Sequence, residues 1–283
     1  MKIKKVSIYL PAYNAEKTIR KAIHSIQNQS IHPDEIILID DCSTDKTVDI
    51  VSSEFSNVKI IQNKTNMGLG FNRNLAIHES KNNIIGAIDA DVVLDKDWLK
   101  NLLPQIEKEN VLMCGGKMTE QLINNRINLW RAKYYSQNWG NKLIINPSFL
   151  YGCNTILIKS VWKKVNGYNE KLKTNGEDID FINKLKSNLK GQIIYQPEAK
   201  CYHLQDDSIE SLSHRVWRYH SFGYKIRQPS FKKLLKLTIK QIKFFLKRFS
   251  GDLINLDVKN IFISYKVFIN FIKFEYKYLI KNK

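Results

Sequence analysis

Asp89 and Asp91, in the stretch AIDADVVLD (87–95), put two carboxylates one residue apart at the end of an apolar run. On a strand, acids at i and i+2 share a face and repel unless a cation sits between them. The pair suits a divalent metal ion, and it equally suits a strand end followed by a solvated acidic turn. A second pair, Asp40 and Asp41, closes the apolar run EIILID, and a third, Glu177 and Asp178, stands in NGEDIDFINKL (175–185). His203 is a lone histidine, which serves either as a metal ligand or as a structural hydrogen-bonding group. Gly68 and Gly70 in NMGLGFNRN (66–74) begin a dinucleotide fingerprint, but its third glycine is missing and Arg73 and Asn74 follow instead.

These groups need elements that hold them. Short β-branched runs recur at KVSIYL (5–10), EIILID (35–40), VKII (58–61), IIGAID (84–89) and VLMCGG (111–116), with helical patterns between them. Ile19, Ala22, Ile23 and Ile26 repeat at i, i+3, i+4, i+7, the face of an amphipathic helix. Ser43 or Thr44 can cap a second helix carrying Val48, Ile50 and Val51. Strands alternating with helices predict an α/β fold with a Rossmann-like, mostly parallel sheet covered by helices on both faces. Ligands of such sheets bind beyond the carboxyl ends of the strands, where Asp40, Asp41, Asp89 and Asp91 would share one crevice. The segment 121–148 is less regular and holds Trp130, Tyr134, Tyr135 and Trp139, either as a packed insertion or as an aromatic binding wall.

The chain of 283 residues is 43% hydrophobic and 25% charged, a globular composition. Its net charge of +18 is unevenly placed, since residues 230–283 carry 13 basic and 3 acidic residues. Cys42, Cys114, Cys153 and Cys201 are widely spaced and suggest neither a zinc site nor a disulfide framework. The apolar run after the charged start ends at Pro11, too soon for a signal-peptide core, and no segment reaches the ~20 apolar residues that span a bilayer. A cytoplasmic protein is expected, peripheral at the inner face of the cell membrane if the basic end engages lipid.

Taken in order, VSIYLPAYNAEKTI, IILIDDCSTDKT, NMGLGFNRN, AIDADVVLD, YGCNTILIKSVWKKVNGYNE, NGEDIDFINKL and IIYQPEAKCYHL resemble the glycosyltransferase family 2 enzymes, which have the GT-A fold. These seven blocks cover roughly residues 5–225 and carry the family's DxD motif at Asp89-Ala90-Asp91. The resemblance implies an inverting, metal-dependent transfer of a sugar from a nucleoside-diphosphate sugar, a UDP-sugar first, to an acceptor hydroxyl in cell-surface polysaccharide or lipid-linked glycan synthesis. It implies Mn2+ or Mg2+ held by Asp91, with Asp89 on the donor ribose or sharing the metal through water, and His203 completing the metal sphere. The family often has a further acid directly after this motif, whereas Val92 and Val93 follow here. Nucleotide-sugar contacts fall by resemblance on Pro11, Ala12, Tyr13, Glu16, Asp41, Asn66, Gly68, Arg73, Asp89 and Ala90. Asp178 becomes the base that takes the acceptor proton, Glu177 an acceptor contact or orienting group, and Trp162, Gly167 and Tyr168 the acceptor side.

The expected organisation is a catalytic domain over 1–229, with a nucleotide-sugar half of about 1–117 and an acceptor half of about 118–229, then a basic amphipathic helical extension over 230–283. In that extension Lys232, Lys236, Lys240, Lys243 and Lys247 repeat at helical spacing beside a stripe of Leu235, Ile239, Ile242 and Leu246. A second stripe of Ile261, Tyr265, Phe268, Ile269, Ile272 and Tyr276 faces away from Lys266, Lys273 and Lys277. Such helices suit an anionic membrane surface, or a hairpin packed on the catalytic domain with a solvated lysine face. No nucleic-acid motif accompanies the charge. Two other functions compete: a sugar-phosphate nucleotidyltransferase, which would carry a glycine-rich phosphate loop where PAYNAEKT stands, and a non-catalytic membrane or nucleic-acid binding protein on a degenerate scaffold.

Overall fold

The structure is a computed structural model that describes residues 5–121, 125–221, 228 and 230–281. It divides into two compact units, residues 1–121 with 137–204, and 122–136 with 205–283.

In the first unit, strands β1 (Val6–Ala12), β2 (Glu35–Asp40), β3 (Val58–Gln62) and β4 (Ile84–Ile88) alternate with helices α1 (Ile19–Gln27), α2 (Thr47–Glu54) and α3 (Leu69–Glu79). All four strands are parallel, in the order β3-β2-β1-β4. Because β2 and β4 lie on opposite sides of β1, the switch point where a ligand crevice opens lies at the carboxyl ends of β1 and β4. β1 is buried along its whole length, as a strand covered on both faces must be. α1 buries Ile19, Ala22, Ile23 and Ile26, the face its spacing predicts. α2 starts later than expected. Ser43 and Thr44 do not cap it: the Asn14 amide donates to Ser43 Oγ and the Thr44 amide to Asn14 Oδ1, fastening the loop after β1 to the loop after β2. Asp45 instead accepts the Thr47 amide at the helix start.

The remaining strands are β5 (Val92–Leu94), β6 (Val111–Glu120), β7 (Ile144–Ile145), β8 (Asn154–Ile158) and β9 (Gln192–His203), with helices α4 (Trp98–Ile106), α6 (Lys159–Lys164) and α7 (Glu177–Asn188) packed around them. The sheet continues β4-β8-β6-β9-β5, and β7 pairs with β9. The fold class is the expected mostly parallel α/β sheet, but β8 runs antiparallel between β4 and β6, and β5 antiparallel to β9. Two hydrophobic clusters fill the unit, one around Ile8, Leu10, Ile23 and Trp98, the other around Tyr9, Ile39, Ile77 and Phe181.

The second unit is helical: α5 (Arg126–Tyr134), α8 (Ile209–Ser221), α9 (Phe231–Ile254) and α10 (Val258–Lys281). Its core joins Trp130, Leu212, Val216, Trp217, Ile263, Val267 and Phe271. α5 and α8 therefore pack with the C-terminal helices, so the compact division comes at 204–205, where 229–230 was expected; Pro229 itself lies outside the described residues. The irregular segment 121–148, of which 122–124 are not described, is shared out: Trp130 is buried in the helical unit, whereas Trp139 packs on Phe149 in the sheet unit. α10 does not bury the predicted stripe; it turns inward Ile263, Val267, Phe271 and Leu279 together with the polar Ser264 and Glu275. These polar groups have partners, Ser264 Oγ accepting from Trp130 Nε1 at 2.8 Å and Glu275 from Trp217 Nε1 at 2.9 Å, which is what makes their burial tolerable. Among the described residues no helix is long and apolar enough to cross a membrane.

Candidate active site

Three strand ends converge on one histidine. β9 lies between β5 and β6, so His203, at its last position, is opposite Val92 on one side and Glu120 on the other. Asp91 immediately precedes β5, and its carbonyl accepts the Leu204 amide. His203 Nε2 is 3.2 Å from Asp91 Oδ2, and His203 Nδ1 is 3.1 Å from Glu120 Oε2. Burial acts to lower the imidazole pKa, but the charges and hydrogen bonds of Asp91 and Glu120 outweigh it and raise it to about 9. Protonated, the ring is the cation that separates two carboxylates.

Among the described residues no three His, Cys, Asp or Glu side chains form a complete metal cage. The donor set fits a partial one. Magnesium keeps several waters and takes one or two protein ligands plus substrate phosphates, and the carboxylate of Asp91 and, once its proton is released, the imidazole Nε2 of His203 could supply two such ligands. Glu120 adds the second carboxylate that orients a ligating histidine through its other nitrogen. Val92 is fully buried at the start of β5, so an acid there would face the core. The third acid of the cluster comes from Glu120 on β6 instead.

Asp89 is committed elsewhere. Arg73, on α3 and 1% exposed, donates from Nη2 to Asp89 Oδ1 at 3.0 Å, from Nη1 to the Gly152 carbonyl at 2.9 Å and from Nε to Glu177 Oε1 at 3.2 Å. All three guanidinium nitrogens thus donate inside the protein, a bridge between the Asp89–Asp91 loop and the start of α7. Gly152 is the hinge of this arrangement, because its amide also donates to Asp178 Oδ2 at 3.1 Å. A Cβ on Gly152 would come within 3.1 Å of Asp178 and 3.2 Å of Arg73. Asp178 is half-buried in the first turn of α7 and Glu177 fully buried. Burial and the neighbouring Asp178 charge push the Glu177 carboxyl up to about 7 against the pull of Arg73, and burial likewise raises Asp178 despite the Gly152 amide. Asp178 holds two backbone amides, from Gly152 and Ile179, which leaves a carboxylate capacity to accept a further proton donor. Replacing Arg73 with Met should lower unfolding stability by about 3–5 kcal/mol, the cost of leaving buried charge uncompensated. Urea denaturation checks this, and an unchanged midpoint would mean Glu177 and Asp89 are held by other means.

Of the residues expected to contact the nucleotide, Pro11 and Ala12 are buried at the end of β1, and Tyr13 beyond them is 54% exposed. Glu16 Oε2 accepts the Lys46 amide. Asp41 is 5% exposed, and its oxygens accept from the Met67 amide at 2.8 Å, the Gly68 amide at 2.9 Å and Asn63 Nδ2 at 2.9 Å. It fastens the 66–68 loop to β2. Asn66 is exposed there and donates to the Asp41 carbonyl. Gly68 has φ +88°, and any Cβ would lie 2.7 Å from Lys173; its glycine lets the 169–173 segment pass. Ala90 is buried between the two acids.

The residues expected on the acceptor side divide: the Tyr168 hydroxyl lies near enough to Arg73, Glu177 and Asp178 to feel their charges, whereas Trp162 and Gly167 are held beside Asn74. Asn74, next to Arg73 on α3, accepts from Trp162 Nε1 at 2.9 Å and from the Tyr168 amide at 2.8 Å. Trp162 and Gly167 line a shallow groove of about 470 Å³ with Phe71, His78 and Glu170. Tyr168 is 2% exposed, its ring stacked on Phe181 at 4.2 Å, so the ring supports the core and is closed to a sugar. The physical reason is β8: running antiparallel, it carries the chain away from Asp89 before α6, and the return through 165–176 brings back Tyr168, Glu177 and Asp178.

Sequence reasoning missed Glu120 and Gly152. Glu120 lies four residues past Gly116, where the apolar β-pattern of its strand stops, and Gly152 has no local feature to single it out.

The sequence profile of Glycosyl transferase family 2 matches residues 7–165. The chain belongs to this glycosyltransferase family. A chondroitin synthase of Escherichia coli is 30% identical over 183 residues, 64% of this chain and 26% of the relative, so the chain spans about a quarter of that protein's length. In fold, this family 2 chain is similar to residues 1–349 of TarS from S. aureus, solved in complex with UDP, with 20% identity, a TM-score of 0.60 and coverage of 98% of this chain and 92% of that one. It is also similar to the mannosyltransferase PcManGT from Pyrobaculum calidifontis, solved with GDP-Man and Mn2+, with 14% identity, a TM-score of 0.58 and coverage of 93% and 74%.

Proposed function

We propose that this chain transfers a sugar from a nucleoside-diphosphate sugar to an acceptor hydroxyl with inversion, using Mn2+ or Mg2+, in the assembly of a cell-surface polysaccharide or lipid-linked glycan. One observation carries the reading: a half-exposed Asp91 backed by His203 and Glu120 stands two residues from Asp89, which Arg73 and Gly152 tie to Glu177 and the half-buried Asp178. A bound divalent ion would neutralise the leaving diphosphate as a Lewis acid. Asp91 and the deprotonated His203 would hold it, and Glu120 would keep the imidazole turned to it. Tyr13, Asn14 and Glu16 border the crevice for the nucleotide. Asp178 removes the acceptor proton, helped by burial that keeps its basicity above that of a solvated aspartate. Direct attack opposite the departing nucleotide inverts the anomeric centre. The uridine nucleotide is placed first because TarS was solved with UDP, whereas the fold also serves GDP-Man in PcManGT.

Incubation with manganese and a panel of UDP-, GDP- and TDP-sugars, followed by nucleotide release, tests the reading. Release from one uridine donor, abolished by EDTA and restored by Mn2+, is expected. Release that persists in EDTA would overturn the metal role, and formation of a sugar nucleotide from a nucleoside triphosphate would replace transfer with nucleotidyl chemistry.

A further inference from the structure

A helix packed in water buries its apolar stripe and leaves polar residues outside. α9 has a second apolar stripe that it leaves open. Its inward face includes the buried Gln241 and Asp252, with Arg248 set over the Tyr135 ring at 5.1 Å. Outward it presents Phe231, Leu235, Ile239, Ile242, Leu246 and Leu253, between 40% and 70% exposed. At 100° per residue these six fall in an arc of about 80°. The next arc holds Lys232, Lys236, Lys240, Lys243 and Lys247, all exposed. α10 repeats the device: Phe262 is 55% exposed, Tyr265 48%, Tyr276 56% and Ile280 56%, beside the exposed Lys266, Lys273 and Lys277. A contiguous apolar stripe of this length on a solvent face marks a binding surface.

We propose that the outward face of α9, with the aromatic stripe of α10, seats in the headgroup region of an anionic lipid bilayer. Charge complementarity selects this occupant. A row of lysines beside a stripe of large apolar side chains matches an interface that is negative at the surface and apolar just beneath it. A second copy of the chain would bring like-charged lysine rows together, since 230–283 carries a net +10. The helices lie in the interface and do not cross it, because none is long and apolar enough to span. Phe231 on α9 and Phe262, Tyr265 and Tyr276 on α10 suit the boundary between headgroups and acyl chains. The inference does not depend on the transfer reading.

Sedimentation of the full chain with vesicles tests it. The chain should pellet with phosphatidylcholine vesicles containing about one-third phosphatidylglycerol, and stay in the supernatant with phosphatidylcholine alone. Lys240→Gln and Lys243→Gln should each weaken binding by about fivefold. The triple change Leu235→Ser, Ile242→Ser, Leu246→Ser should abolish it with the circular dichroism spectrum unchanged, because these side chains are exposed. Should that variant fold poorly, Leu246→Trp gives the answer: its fluorescence should be quenched by brominated anionic vesicles more strongly than that of the parent. The proposal falls if no vesicle is bound, if binding survives loss of the stripe, if moderate salt removes it completely, or if the chain is a dimer that the triple change dissociates.

Discussion

Asp91→Asn is expected to reduce sugar transfer by about a thousandfold or more, since the divalent ion is asked to supply several kcal/mol of charge stabilisation at the leaving diphosphate. The expectation rests on the position of Asp91: it heads β5, its backbone is tied to Leu204, and its carboxylate meets His203 Nε2 at 3.2 Å. Asp89 is instead held by Arg73 at 3.0 Å. Calorimetry of Mn2+ binding in the presence of UDP separates ligand loss from damage elsewhere. Asp91→Asn should remove the heat of metal binding, whereas Glu120→Gln, on the far side of the imidazole, should weaken metal affinity by about 10- to 100-fold. Full metal affinity in Asp91→Asn would show that the cation is held elsewhere.

Asp178→Asn is expected to lower kcat by about 10²- to 10⁴-fold, the usual contribution of a positioned general base, with nucleotide affinity unchanged. The separation follows from the network. Asp178 reaches the nucleotide side only through Gly152 and Arg73, and an amide at 178 still accepts the Gly152 amide through its oxygen. Stopped-flow transfer assays and UDP titration by calorimetry give the two numbers. Loss of UDP binding with transfer retained would reverse the roles assigned to this end of α7.

The first half of the fold was legible because it is local. β2 falls on 35–40 as its apolar run predicts, and the buried positions of α1 are the four that its periodicity marks. Helix α2 was misplaced because Ser43 and Thr44 have the chemistry of caps but spend it on Asn14, a residue 29 and 30 positions away. The stripe on α9 was visible as a pattern, yet a pattern does not say which way it points. Three-dimensional packing put Gln241 and Asp252 inside and Ile242 outside.

By itself the sequence determined the parallel half-sheet, the family, and the presence of acids at the ends of β2 and β4, since these depend on periodicities of two and 3.6 and on motifs contiguous in the chain. Only the tertiary structure decided which acids work together. His203 meets Asp91 across 112 positions and Glu120 across 83 because β9 lies between β5 and β6. Arg73 reaches Glu177 across 104 positions because the chain returns after an antiparallel β8. Pairings of this kind are set by strand order, and strand order is fixed by how whole faces bury against one another, which no local pattern records.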